Sequence, residues 1–411
     1  MYTSTVPAPV NASALPYCDI ASALTNRLSL QTALSLQAPV AVIESIATGN
    51  PEYITQQSDA AQRVASLPAL KENSKRIEKI YQNTRINTRH LAVDLLAEDA
   101  LTPEQCAVPI QLRMQLFKEK AVPLAERVAR QALANLSESS NSITDSIGLI
   151  VFVSSTGFVA PGVDAELIER LGLKRNIARV TVNFMGCAAA MNGLRVACDH
   201  VKAYPNRRAL LVCLELSSIN AVFNDDLNDV IIHSIFGDGC AAVVFGAASV
   251  GQAPAQGQIV IRDHLSYLVE GTQDGITLGV EDTGITCQLS PQLPDYIEAG
   301  VGPVIEQYLC DRNLTKESID LWAVHPGGTR IIQKVQSSLG LEDSQVATSW
   351  AVLREYGNML SVSLLFVLKQ MQEQRQALAQ AEGSGETEVQ TGLAFSFSPG
   401  VGIEGVLFEL A

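Results

Sequence analysis

The chain has 411 residues, of which 47% are hydrophobic and 18% charged, with 43 acidic against 29 basic side chains and a formal net charge of −14. That apolar fraction is ample for a buried core and excludes global disorder, while the negative balance argues against a nonspecific nucleic-acid binder. No apolar run is long enough for a membrane span, and the first residues lack the basic-then-apolar order of a secretory signal.

Eight dispersed cysteines form no CxxC pair, and five histidines show no ligand spacing. Both point to free thiols in a reducing cytoplasm, with neither a disulfide framework nor a bound metal. In chain order, residues 1–38 carry only Asp19 and Arg27 as charged groups and read as an N-terminal extension. The compact fold is expected to start at APVAVIESIATGNP, a strand closed by a Gly-Asn-Pro turn. Helical periodicity follows through SDAAQRVASLPALKENSKRIEKIYQNT and through RMQLFKEKAVPLAERVARQALANLS, where Pro123 is a candidate kink. SIGLIVFVSST is continuously apolar, as a strand covered on both faces should be. Strands and helices then alternate: VDAELIERLGL, ARVTVNF, AAAMNGLRVACDHVKAY, ALLVCLELSS, CAAVVFGAAS. The second half repeats the style with DYIEAGVGPVIEQYLCDRNL, DLWAVH, GTRIIQKVQSSLG, MLSVSLLFVLKQMQEQRQALAQ and the closing strands GLAFSFS and GVLFEL. Two such halves, divided here into 39–257 and 258–411, argue for a layered α/β architecture.

Three segments carry candidate chemistry. In VNFMGCAAAMNGLRVA, Cys187 falls at a strand-to-helix junction. Gly186 and Ala188, Ala189 and Ala190 leave room beside the sulfur, and the helix dipole favours a thiolate there. In DLWAVHPGGTRII, His325 ends a strand at the rim of the sheet, where clefts of layered α/β folds open. Gly327 and Gly328 let backbone amides approach a ligand closely. In REYGNMLSVSLLF, Asn358 opens a long apolar helix. An asparagine there is ordinarily an N-cap, but its amide can instead donate into a cleft. A cysteine with a histidine and an asparagine serves either a cysteine protease or an enzyme forming carbon–carbon bonds on thioesters. The buried setting of Cys187 favours the second.

The segments MGC, IFGDGCAAVVFG, WAVHPGG, EYGNM and FSFSPGVGIEG, in this order and spacing, resemble the type III polyketide synthases of the chalcone and stilbene synthase superfamily. The likeness runs from about Pro39 to the C-terminus. It implies a thiolase-like five-layered αβαβα fold of two pseudo-duplicated halves. It also implies an acyltransferase that loads an acyl-CoA starter on Cys187 and extends it with malonyl-CoA, with His325 and Asn358 completing the triad. These CoA thioesters would be substrates, with no separate cofactor, and the enzyme a cytoplasmic homodimer. Phe236 falls on the family's gatekeeper phenylalanine, and Arg76 and Lys79 on positions that contact CoA phosphates, with Asn83 where a third basic residue is expected. Together with Gly327 and Gly328 these make up the expected CoA site. Residues 71–89 hold six basic and two acidic side chains against the chain-wide trend, and Lys75, Arg76 and Lys79 would share one helical face. The pattern departs from plant members at Cys287, where a second phenylalanine stands, at Ala160, where a methionine reaches across the dimer, and at Leu360, where a serine lies near the triad. Ser155, Thr156, Cys287 and Leu360 are expected to shape the pocket. The smaller groups at Cys287 and Ala160 suggest fatty-acyl starters and alkylresorcinol- or pyrone-type products. A chain-initiating ketoacyl synthase, condensing once, is the alternative.

Overall fold

The computed structural model describes residues 39–411 apart from 98, 139, 224–226, 250–254 and 383–387; the extension expected over 1–38 lies outside them. In chain order the strands are β1 (Val40–Gly49), β2 (Tyr53–Gln56), β3 (Thr88–Leu91), β4 (Ile147–Ser154), β5 (Ala178–Asn183), β6 (Arg208–Glu215), β7 (Gly239–Ala248), β8 (Ile259–Leu268), β9 (Ile276–Glu281), β10 (Gly284–Leu289), β11 (Leu321–Val324), β12 (Gln390–Ser398) and β13 (Gly402–Leu410). Nine of them form one sheet in the order β11-β12-β13-β8-β1-β7-β6-β4-β5. Each side of it repeats one scheme. A parallel pair (β4 with β6, β11 with β12) is followed by two antiparallel steps that end on β1 in one half and on β8 in the other. The two halves meet where β1 pairs with β8 over three residues.

Side-chain alternation builds the layers. In β4, Leu149, Val151 and Val153 point into one apolar cluster, whereas Ile150 and Phe152 point into another; a strand covered on both faces must be apolar at every position. The first cluster also takes Ala394, Val406 and Phe408 from the other half. It encloses two helices, Ala189–Ala203 and Ser363–Glu382, whose apolar sides face both halves of the sheet. The outer face of the first half is covered by the helices Ile110–Ala134 and Val163–Arg170. The outer face of the second half is covered by Leu293–Cys310 and Thr329–Leu339. The result is the five-layered αβαβα arrangement of a thiolase-like fold.

Local chemistry explains the departures from the sequence reading. The helical run expected from residue 58 onward divides into Gln57–Ala65, a 3-10 turn Pro68–Asn73 and Ser74–Gln82, because Pro68 lacks an N–H and disfavours helix at the residue before it. The helix Ile110–Ala134 instead runs through Pro123. β8 and the β9–β10 hairpin have no counterpart in the sequence reading; the hairpin roofs the cleft described next.

Candidate active site

The nucleophile segment leaves β5 through Phe184 and Gly186, both at φ +56°. This sharp turn sets Cys187 in a 3-10 turn, Gly186–Ala188, at the head of the helix Ala189–Ala203. Gly186 N–H donates to Ser155 Oγ at 3.0 Å, and Pro399 of the closing loop packs over Gly186, 3.3 Å from where a Cβ would stand. His325 follows β11. Its N–H donates to Phe395 O at 3.1 Å, and Gly327 N–H donates back to His325 O at 2.8 Å. The imidazole is buried and neither ring nitrogen has a protein partner. Asn358 is held through both ends of its carboxamide: Leu360 N–H donates to Oδ1 at 2.8 Å, while Nδ2 donates to Gly327 O at 3.1 Å. Nδ2 also lies 3.9 Å from Cys187 Sγ. The oxygen closes an i to i+2 turn and caps no helix, since the 3-10 turn Leu360–Val362 begins after Met359 with no side-chain cap; the nitrogen is the donor that an amide turned into the cleft should supply. The backbone turn beyond it is tight, with Leu360 at φ +48°.

Cys187, His325, Gly327 and Asn358 line one cavity of about 50 Å³ with otherwise apolar walls. Phe236, Leu278, Cys287 and Leu360 are shared with a second pocket of about 220 Å³, lined also by Ser155 and Thr156. Desolvation dominates the electrostatics. Burial, and then the neighbouring Cys287 thiol, push the Cys187 thiol up, against donation from Asn358. Burial pushes His325 down to about 3. Charge separation between thiol and imidazole is therefore opposed by burial, and the thiolate expected from the sequence has to draw on the Asn358 donor and the helix dipole. Behind the wall, burial raises Glu215 to about 7 against donation from Ser361 Oγ (2.6 Å), Ser155 N–H (2.9 Å) and Thr156 Oγ1 (2.8 Å).

The remaining sequence candidates fall elsewhere. Arg76 and Lys79 are exposed on Ser74–Gln82. The end of that helix abuts the turn after His325, since Thr329 Oγ1 donates to Thr84 O at 2.7 Å. Gly328 opens the helix Thr329–Leu339 at that junction. Arg89, counted with the basic segment, points inward and is buried. Ala160 touches neither cavity; it lines an open groove of about 620 Å³ with Met114, Val122 and Glu166. Sequence reading missed Leu278 because the hairpin that carries it was not assigned, and gave Glu215 no role.

Residues 30–249 match the family profile of the N-terminal domain of chalcone and stilbene synthases, and residues 261–410 match that of the C-terminal domain. The chain belongs to the chalcone and stilbene synthase family. A relative named alpha-pyrone synthesis polyketide synthase-like Pks18, from Mycobacterium tuberculosis, is 50% identical over 371 residues, covering 90% of the synthase and 91% of that protein. Polyketide synthase 37 of Dictyostelium discoideum is 31% identical over 90% of the synthase and 12% of its own length. The crystal structure of PKS-I from the brown alga Ectocarpus siliculosus superposes with a TM-score of 0.85 at 44% identity, covering 91% of the synthase and 99% of that chain. The protein is thus a type III polyketide synthase, an acyltransferase that condenses acyl-CoA with malonyl-CoA, and this decides against the single-condensation alternative. Among the described residues, no helix is long and apolar enough to cross a membrane and no side-chain cluster could hold a metal ion.

Proposed function

We propose that Cys187 carries the growing acyl chain, that His325 serves both loading and decarboxylation, and that Asn358 acts on the malonyl thioester. The observation that carries this reading is the convergence of Sγ, two unpartnered imidazole nitrogens and an oriented carboxamide in one apolar cavity. The Cys187 proton passes to His325 as sulfur attacks the starter thioester, and CoA leaves with that proton. Malonyl-CoA then loses CO₂, and the bonding pair becomes an enolate whose oxygen accepts from His325 and from the Nδ2 hydrogen not used by Gly327. The enolate carbon attacks the acyl-enzyme, sulfur leaves as thiolate, and the lengthened chain returns to it. A dry cavity favours neutral CO₂ over a carboxylate and protects the acyl-enzyme from water. No cofactor is required, since decarboxylation itself supplies the carbanion.

Phe236, Cys287 and Leu360 serve in this reading as the gate between triad and pocket, with Ser155 and Thr156 on the far side. Arg76 and Lys79 meet CoA phosphates at the mouth, and Gly327 and Gly328 admit the pantetheine arm. The room in the pocket behind the wall supports a long acyl starter, and the name of the mycobacterial relative supports a pyrone product formed by attack of an enol oxygen on the Cys187 thioester. β5 is a sheet edge with exposed positions, and the groove at Ala160 is flanked by exposed Phe158. Both support a homodimer in which Ala160 faces the partner. The seven described cysteines are free, which suits a cytoplasmic enzyme. Cys187→Ala tests the assignment: no acyl adduct should be detectable by intact mass, and an adduct on the variant would refute it. Mass spectrometry of products from acyl-CoAs of graded length tests starter and ring type.

A further inference from the structure

The helix Leu227–Ile235 ends directly against the site, and its last carbonyls have no intrahelical partners. Each is met by a remote group. Arg89 Nη1 donates to His233 O at 2.6 Å and to Phe236 O at 2.8 Å. Gln57 Nε2 donates to Ser234 O at 2.7 Å, and its Oε1 accepts from Arg89 Nε at 3.0 Å. Ile235 O accepts from Asn358 N–H at 2.8 Å, and Gly237 N–H donates to Asn358 O at 3.0 Å. The turn carrying Phe236 is therefore backbone-paired to Asn358 on one side and gripped by a buried guanidinium on the other. Gly357 lets these parts meet: a Cβ there would lie 2.7 Å from Ile235 O and 3.0 Å from Arg89 Cγ.

A buried arginine is costly unless its donors are used. Here it lies at the negative end of a helix dipole, which favours a cation, and its planar group divides the work, Nη1 donating to both carbonyls while Nε, fixed in the same plane, is held by Gln57. We propose that Arg89, braced by Gln57, is a positioning residue that holds Phe236 and Asn358 in register, so that the gate and the enolate-binding amide are set by one clamp. The proposal rests on the role given above to Asn358. Displacing an aligned donor by about 1 Å from a distant site costs on the order of 100-fold.

The test separates two steps on the purified full-length chain: acyl loading of Cys187, read by intact mass, and CO₂ release from malonyl-CoA. Arg89→Met should load within about threefold of the native rate but release CO₂ about 100-fold more slowly, with part of the loss restored in Arg89→Lys. In an Asn358→Ala background, Arg89→Met should add almost nothing to the loss, because it acts through Asn358. If both steps fall in proportion, if neither falls, or if the two losses multiply, the clamp is refuted. Should Arg89→Met not fold, Gln57→Met is judged by the same criteria, with an expected loss of about tenfold in CO₂ release alone. Native CO₂ release by Asn358→Ala would instead overturn the proposed function itself.

Discussion

Glu215→Gln is the most informative single substitution, because burial and hydrogen bonding act on this carboxyl in opposite directions. Its ordinary value is 4.5, and burial raises it to about 7 despite donors on both oxygens. A carboxyl raised on folding contributes stability that is fully present below about 4.5 and is lost as pH rises through about 7. The shift between those two values corresponds to about 3 kcal/mol at alkaline pH. Glutamine keeps the shape. Its carbonyl can take the bonds from Ser155 N–H and Thr156 Oγ1, and its amide can donate to the Ser361 hydroxyl, which turns to accept. The variant should therefore gain stability over the native chain as pH rises, by about 2 kcal/mol more at pH 8 than at pH 5. Urea unfolding at the two pH values measures the difference. A stability difference that does not change with pH would refute the buried-carboxylate argument.

Further substitutions probe the site and its support. Asn358→Ala removes a donor aimed at the enolate oxygen and should slow malonyl-CoA decarboxylation by about 100- to 1000-fold, measured as CO₂ release; an unchanged rate would remove Asn358 from that role. Cys287→Phe places a ring in the wall shared by the two cavities and should shift starter preference toward shorter acyl-CoAs by about tenfold or more, read from competition assays with mixed chain lengths. Gly157→Ala should destabilise by about 1–3 kcal/mol, because its Cβ would fall 2.3 Å from the buried Phe117 ring; an unchanged unfolding midpoint would show that the ring can yield.

The triad was legible because each member sits at an element boundary that leaves a mark in the sequence: Gly-Cys-Ala-Ala-Ala, His-Pro-Gly-Gly, Gly-Asn. The alternating halves were legible for a similar reason, since strands such as β4 are apolar at every position. The β9–β10 hairpin was not, because ITLGVE and GITCQL are half-exposed and interrupted by glycine, so their period-2 signal is weak. Arg89 was only counted with the basic segment. Composition counts a cation without saying whether its partners are solvent or the carbonyls at the end of a helix more than 140 positions away. The opposing shifts at Cys187 and His325 were equally invisible, because desolvation is set by Ile297, Phe397 and other walls contributed from distant segments.

Sulfur reaches the cavity from one half of the fold, imidazole and carboxamide from the other, and the backbone ladder between the halves spans three residue pairs. Neither half alone assembles a reactive set, so turnover reports their mutual docking more sensitively than either half's internal order. Because the two halves also share the central apolar cluster, catalytic output and the circular dichroism of helices and strands should be lost together on warming, in one transition and not in two.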